Sequence, residues 1–163
     1  MIILGIDPGF AITGFGLIEK QGNDLKILDY GCITTKAGED FSLRLKVIHE
    51  ELEKIIKKYK PKVVAVEQLF FAKNVKTALL VGQARGVVLL SAIEKKLPLY
   101  EYTPLQVKQA ITGYGAAQKK QIQQMVKIIL GLKEVPKPDD AADALAIAIC
   151  CAHSLKSENL YKK

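Results

Sequence analysis

The spacing of apolar residues changes several times along the chain, and each change marks an element. MIILGID, residues 1–7, is an apolar run that ends on a carboxylate, Asp7, and breaks at Pro8-Gly9, the pattern of a buried strand entering a turn. ITGFGLIEK alternates apolar and small residues and predicts a second strand. LKILDYGCITT predicts a third, joined to the second by a turn at Gln21-Gly22-Asn23-Asp24. The period then lengthens. Phe41, Leu45, Ile48, Leu52, Ile55, Ile56 and Tyr59 follow helical spacing, and Pro61 stops that helix. KVVAVEQ is continuous and β-branched, as in a central strand buried on both faces. A long helix is expected over 75–96 and a fifth strand over Leu97–Tyr102. Helices from Pro104 to Ile111, from Gln118 to Leu130 and from about Pro138 to Leu155 complete the chain.

This order, three strands in a meander followed by crossovers, implies an α/β fold with a mixed five-stranded sheet flanked by helices. The 75–96 helix is apolar nearly all round, so both of its faces need cover. One can pack on the sheet; the other meets either the terminal helices or a second copy of the chain in a twofold dimer.

A length of 163 residues is most simply one domain, here 1–155, with a short tail at 156–163. The longest uncharged apolar run, Ala144 to Leu155, is too short for a bilayer, and no signal-peptide pattern is present. Cys32, Cys150 and Cys151 have no metal-type spacing and fit reduced thiols in a cytoplasmic protein. His49 and His153 stand isolated in sequence, as surface histidines of helices. Charge is uneven. Residues 1–67 balance ten basic against ten acidic residues, whereas residues 68–137 carry eleven basic and three acidic ones. A basic middle suits a polyanionic partner such as nucleic acid, or simply a soluble surface.

The acids show a second pattern. Asp7 ends the first strand, Glu67 ends the fourth, and Asp139, Asp140 and Asp143 open the last helix. Asp140 with Asp143, or Asp139 with Asp143, project from one helix face. If the first and fourth strands are neighbours, the acids share one sheet edge. Two carboxylates about 4 Å apart repel by about 4 kcal/mol at an effective dielectric near 20, so such a cluster raises its pKa values or binds cations. All-oxygen ligands suit Mg²⁺, with Mn²⁺ as substitute, and two such ions can drive in-line displacement at phosphorus. Taken singly, each acid has a plainer role: Asp7 in a turn, Glu67 as a strand-end charge, Asp139 and Asp140 at a helix N-terminus. No Cys, His or Ser arrangement offers a rival nucleophile.

GIDPG, VEQLFFAKN, GQARGV, YTPLQVKQAITGYGAAQK and DDAADALAIAIC, in this order and spacing, resemble the RuvC Holliday junction resolvases from residue 1 to about 155. The resemblance implies a ribonuclease H-like fold, a homodimer and a Mg²⁺-dependent endonuclease. It would nick two opposed strands of a four-way DNA junction, leaving 5′-phosphate and 3′-hydroxyl ends, in recombination and repair. By motif, the catalytic and metal-binding acids fall on Asp7, Glu67, Asp140 and Asp143, with Asp139 at the margin. Phe70 matches the family aromatic beside the strand-four acid, and Lys108 and Lys119 match its DNA-contacting lysines. Lys73 and Lys120 are further DNA-binding candidates; Phe71 fits the core, Tyr114 a tight turn, and Arg85 either DNA or the dimer partner. The family works with the branch-migration proteins RuvA and RuvB. Two other classes compete. An actin-like nucleotide-binding module would begin with the same GID segment but needs far more than 163 residues. A DNA-binding protein without catalysis would not need the acids.

Overall fold

The computed structural model describes residues 1–68 and 75–160. Strands β1 (Ile2–Asp7), β2 (Ile12–Gln21) and β3 (Asp24–Thr34) form the meander. Helix α1 (Phe41–Tyr59), strand β4 (Val63–Glu67), helix α2 (Val75–Glu94) and strand β5 (Leu99–Tyr102) make the crossovers. Helices α3 (Pro104–Thr112), α4 (Lys119–Ile129) and α5 (Asp139–Leu160) follow. The sheet order is β3-β2-β1-β4-β5. β1 pairs antiparallel with β2 and parallel with β4, and β5 adds parallel to β4. The mixed five-stranded sheet expected from the sequence is therefore present.

Both faces of the sheet are covered, which is why β1 and β4 read as unbroken apolar runs. Leu4, Ile6, Val64 and Val66 face α1 and α2, packing with Ile48, Leu52, Ala84 and Val88. Ile3, Ile18 and Ala65 face the other way and pack with Leu145, Ile149, Val107 and Val126 from α5, α3 and α4. The terminal helices thus lie across the sheet from α2 and do not cover its outer face.

That outer face carries Val75, Leu79, Leu90 and Ile93, all more than half exposed. By length and composition α2 could cross a membrane. Its inner side is packed instead, through Ala84, Val88 and Ala92.

Helix α1 is capped by Asp40, whose carboxylate accepts from the Ser42 amide, and α3 by a Thr103–Gln106 capping box. Two ends differ from expectation. Helix α2 stops at Glu94, because Lys96 turns left-handed at φ 56° while its amide donates to the Ile93 carbonyl. No glycine marks that stop in the sequence. Helix α5 runs on to Leu160, five residues past the expected end.

Helix α5 sits unusually close to the sheet because small residues meet small residues. A Cβ at Gly5 would lie 2.2 Å from the Ala144 carbonyl oxygen, and one at Gly16 would lie 2.8 Å from the Leu145 amide nitrogen. Ala141, Ala144 and Ala148 are buried against this row. This fit sets the height of the first turn of α5, and hence of its acids, above the ends of β1 and β2.

Candidate active site

Asp7 is the last residue of β1 and Glu67 the last of β4, and these strands are parallel neighbours. Their carboxylates therefore leave the sheet at one edge, side by side. The first turn of α5 crosses that edge: Gly14, the β2 partner of Asp7, underlies the Asp140 carbonyl. The turn after Asp7 is held by buried Thr13, whose hydroxyl donates to the Gly9 carbonyl at 2.6 Å. Thr13 thus serves the turn.

The electrostatics show how closely the acids gather. Burial, then the charges of Glu67, Asp143 and Asp140, push Asp7 from its ordinary 3.8 up to about 7. Glu67 is raised by burial and by Asp143, against the pull of Lys108 and Lys119. Asp143 is raised chiefly by burial, with Lys119 opposing. Asp7 is the group on which the other three acids all bear.

Lys119, the first residue of α4, supplies positive charge. Its ammonium lies 2.8 Å from Asp143 Oδ2 and 3.5 Å from Asp139 Oδ2. Burial pulls its pKa down, but Asp143 and Asp139 outweigh that and raise it. Asp139 itself is well exposed and, among the described residues, touches the cluster through this lysine. Lys108 on α3 shares a groove with Glu67, Asp143 and Lys119. A second groove, between the Gly9–Ile12 turn and Thr77, Leu80 and Val81 of α2, opens onto Asp140. The acids thus stand between two grooves, one of them lined by lysines.

The other expected residues scatter. Lys120 lines a separate groove beside Tyr114, Gln124 and Met125. Phe70, Phe71 and Lys73 lie outside the described residues. Arg85 is mostly buried, paired with Glu101, and its Nε donates to the Glu67 carbonyl at 3.4 Å. It ties α2 to the ends of β4 and β5. Sequence reasoning missed Thr13, Gly14 and Cys32. Cys32 pairs with Gly14 in the β2–β3 register, and burial together with Asp140 raises its thiol pKa, so it stays protonated. Only the strand register could have revealed it.

The donor set suits a hard divalent cation: several carboxylates, partly buried, repelling one another, with the nearby thiol protonated. A lone pair of buried acids can settle by sharing a proton, but a cluster of this size next to a basic groove is better matched by metal.

Comparison with known proteins agrees. Residues 3–151 match the family model described as crossover junction endodeoxyribonuclease RuvC. The crossover junction endodeoxyribonuclease RuvC of Desulfitobacterium hafniense is 62% identical over 159 residues, 98% of this chain and 96% of that protein. That of Halothermothrix orenii is 59% identical over 156 residues, 96% of this chain and 94% of that one. Among solved structures, T. thermophilus RuvC in complex with Holliday junction substrate superposes with a TM-score of 0.92. It is 39% identical and covers 97% of this chain and 96% of that chain.

Proposed function

The chain belongs to the RuvC family of crossover junction endodeoxyribonucleases, and from that premise we propose that it resolves four-way DNA junctions by paired hydrolysis of opposed phosphodiester bonds. The products are nicks with 5′-phosphate and 3′-hydroxyl ends. The observation that carries this reading is the meeting of Asp7, Glu67, Asp140 and Asp143 at one sheet edge beside a lysine-lined groove. The assay that tests it is Mg²⁺-dependent cleavage of a synthetic four-way junction with linear duplex as control. Cutting of both alike, or of neither, refutes it.

In this reading Asp7, Glu67, Asp140 and Asp143 hold Mg²⁺, two ions per site, with Mn²⁺ as substitute. When bound, the metal supplies an activated water and stabilises charge on the leaving 3′-oxygen. The chain does the rest. Asp7, central among the acids, orients the ligand set, and the Thr13-held turn keeps its strand end in place. Lys108 and Lys119 hold the phosphates that flank the scissile bond. Phe70 and Lys73 contribute to the junction surface, and Lys120 extends it along α4. Phosphate contacts of this kind position a strand without reading its sequence, so junction shape governs binding. We expect Lys108→Ala with Lys119→Ala to weaken junction binding and lower the slope of log affinity against log salt by about 1 to 2, since each lost phosphate contact removes about 0.9. Binding titrations at several salt concentrations check this, and an unchanged slope removes both lysines from the contact surface.

Symmetric cutting calls for two sites. The outer stripe of α2, with Val75 and Leu79 four residues apart, Leu90 and Ile93 three apart and Gly86 between the pairs, supports a homodimer through this face. Leu79→Arg with Leu90→Arg changes side chains exposed in the single chain, so folding should survive. We expect sedimentation to show monomers and paired cutting to fall to single nicks; a dimer retained would place the interface elsewhere. Residues 1–155 act as one nuclease domain, in the cytoplasm, in partnership with RuvA and RuvB.

A further inference from the structure

A second cluster of ligating side chains lies at the other end of the α1–α2 pair. His49 and Glu53 are one turn apart on α1, and Glu94 is the last residue of α2. Thr77 of α2 borders the groove that opens onto Asp140. Seventeen residues of helix separate it from Glu94, roughly 25 Å at 1.5 Å per residue. The cluster is therefore distinct from the nuclease site. The sequence shows His49 as isolated, and the fold brings it its partner from 45 residues away.

Its ligand atoms stand slightly wider apart than the ligands of a bound ion. His49 Nε2 lies 4.0 Å from Glu53 Oε2 and 4.0 Å from Glu94 Oε2. Those separations exceed hydrogen-bond length. Tetrahedral metal–nitrogen and metal–oxygen bonds of about 2.0–2.2 Å place two ligands of one ion roughly 3.3 to 3.6 Å apart, so small side-chain rotations would draw these atoms onto one ion. All three ligand atoms lie within 4.8 Å of one another. Glu94 is half-exposed and free to close the remainder.

The imidazole is also oriented by a buried partner. Ser91, 1% exposed, donates its hydroxyl proton to the Val87 carbonyl at 2.8 Å. Its oxygen can then only accept from His49 Nδ1–H, which lies 2.9 Å away. In the neutral imidazole Nε2 then carries the lone pair and faces the two carboxylates. Metal-binding histidines commonly donate their second nitrogen to an oxygen in this way. Lys95 takes the other oxygen of Glu53, Oε1, and leaves Oε2 facing the imidazole.

We propose that His49, Glu53 and Glu94 bind one transition-metal cation of the Zn²⁺ class, clamping the end of α2 to α1. The imidazole in the set selects such ions over Mg²⁺. Leu90 and Ile93, at the end of the exposed apolar stripe, lie within a turn of Glu94, so the clamp fixes the helix end that presents them.

The test uses Asp7→Asn, stripped with chelator, to weaken the nuclease site as a competing acceptor. Titration with Co²⁺ should show visible d–d bands saturating at one equivalent per chain, and Zn²⁺ should displace it and raise the unfolding temperature. Adding His49→Gln or Glu94→Gln should weaken Co²⁺ binding at least tenfold and abolish the thermal shift. Glu94→Gln keeps an exposed side chain of the same shape, so it separates ligand loss from misfolding, and circular dichroism verifies both variants. Co²⁺ bound as tightly by the variants as by the parent overturns the proposal. So does failure of the parent to bind either ion, which would leave a proton between His49 and the two carboxylates. Neither result touches junction cleavage, whose own failure would be seen in Mg²⁺ with wild-type protein.

Discussion

Asp7→Asn is expected to lose junction cutting by on the order of 10³-fold or more while binding junctions as wild type does. Charge stabilisation by a bound metal is worth several kcal/mol, and each 1.36 kcal/mol is a factor of ten in rate. Gel-shift titration beside a cleavage time course checks it; a variant that cuts at the wild-type rate in Mg²⁺ removes Asp7 from the metal site. The same substitution should make the metal-free protein more stable. Folding raises the Asp7 pKa from 3.8 to about 7. Between those values the folded state holds a proton that the unfolded state has released. Raising the pH strips that proton, so stability falls from about pH 4 to pH 7 and stays low above. Glu67 and Asp143 shift in the same direction and add to the fall. At 1.36 kcal/mol per unit, Asp7 contributes at most about 4 kcal/mol, less because it is not fully buried. In chelator, the wild-type melting temperature should drop as pH rises from 5 to 8. Asp7→Asn should flatten that curve, and Mg²⁺ should restore wild-type stability at pH 8. A flat wild-type curve in chelator would mean that the acids do not strain the fold.

What the sequence discloses, and what it hides, follow one rule: local patterns are legible and juxtapositions are not. Every strand was foreseeable, since β1 and β4 are buried on both faces and the β2–β3 hairpin turns at Gly22. The four acids were readable because each closes or opens an element, and elements end at sheet edges. Helix ends were misplaced where a lysine, Lys96, adopts the conformation that glycine usually takes. Arg85, on α2, was unreadable because its partner Glu101 is on strand β5. His49 was unreadable for the same reason, with Glu94 and Ser91 on a different helix. Nothing in Gly14 announces that a helix carbonyl lies above it.

That contact should make Gly14→Ala nearly as damaging to catalysis as loss of an acid. A methyl at Gly14 would lie 2.1 Å from the Asp140 carbonyl oxygen and 2.5 Å from its carbon, well inside van der Waals contact. Both are backbone atoms of the first turn of α5, so no side chain can swing aside. Gly14 cannot retreat either, because it is paired with Asp7 on one side and Cys32 on the other. The helix must therefore lift by about 1 Å. The rest of α5 resists, packed on Gly5 and Gly16. Overpacking of this kind costs about 1–3 kcal/mol of stability. The larger consequence is at the site: lifting the turn carries Asp140 and Asp143 away from Asp7 and Glu67, which stay with the sheet. A misplacement of about 1 Å costs on the order of 10²-fold in rate. We expect Gly14→Ala to remain folded, bind junctions, and cut about a hundredfold more slowly, with the Mg²⁺ requirement moved to higher concentration. Lys108 and Lys119 are on α3 and α4, which the methyl does not touch, so the salt dependence of binding should be unchanged. Wild-type cleavage by Gly14→Ala would show that the height of α5 above the sheet does not set the ligand geometry.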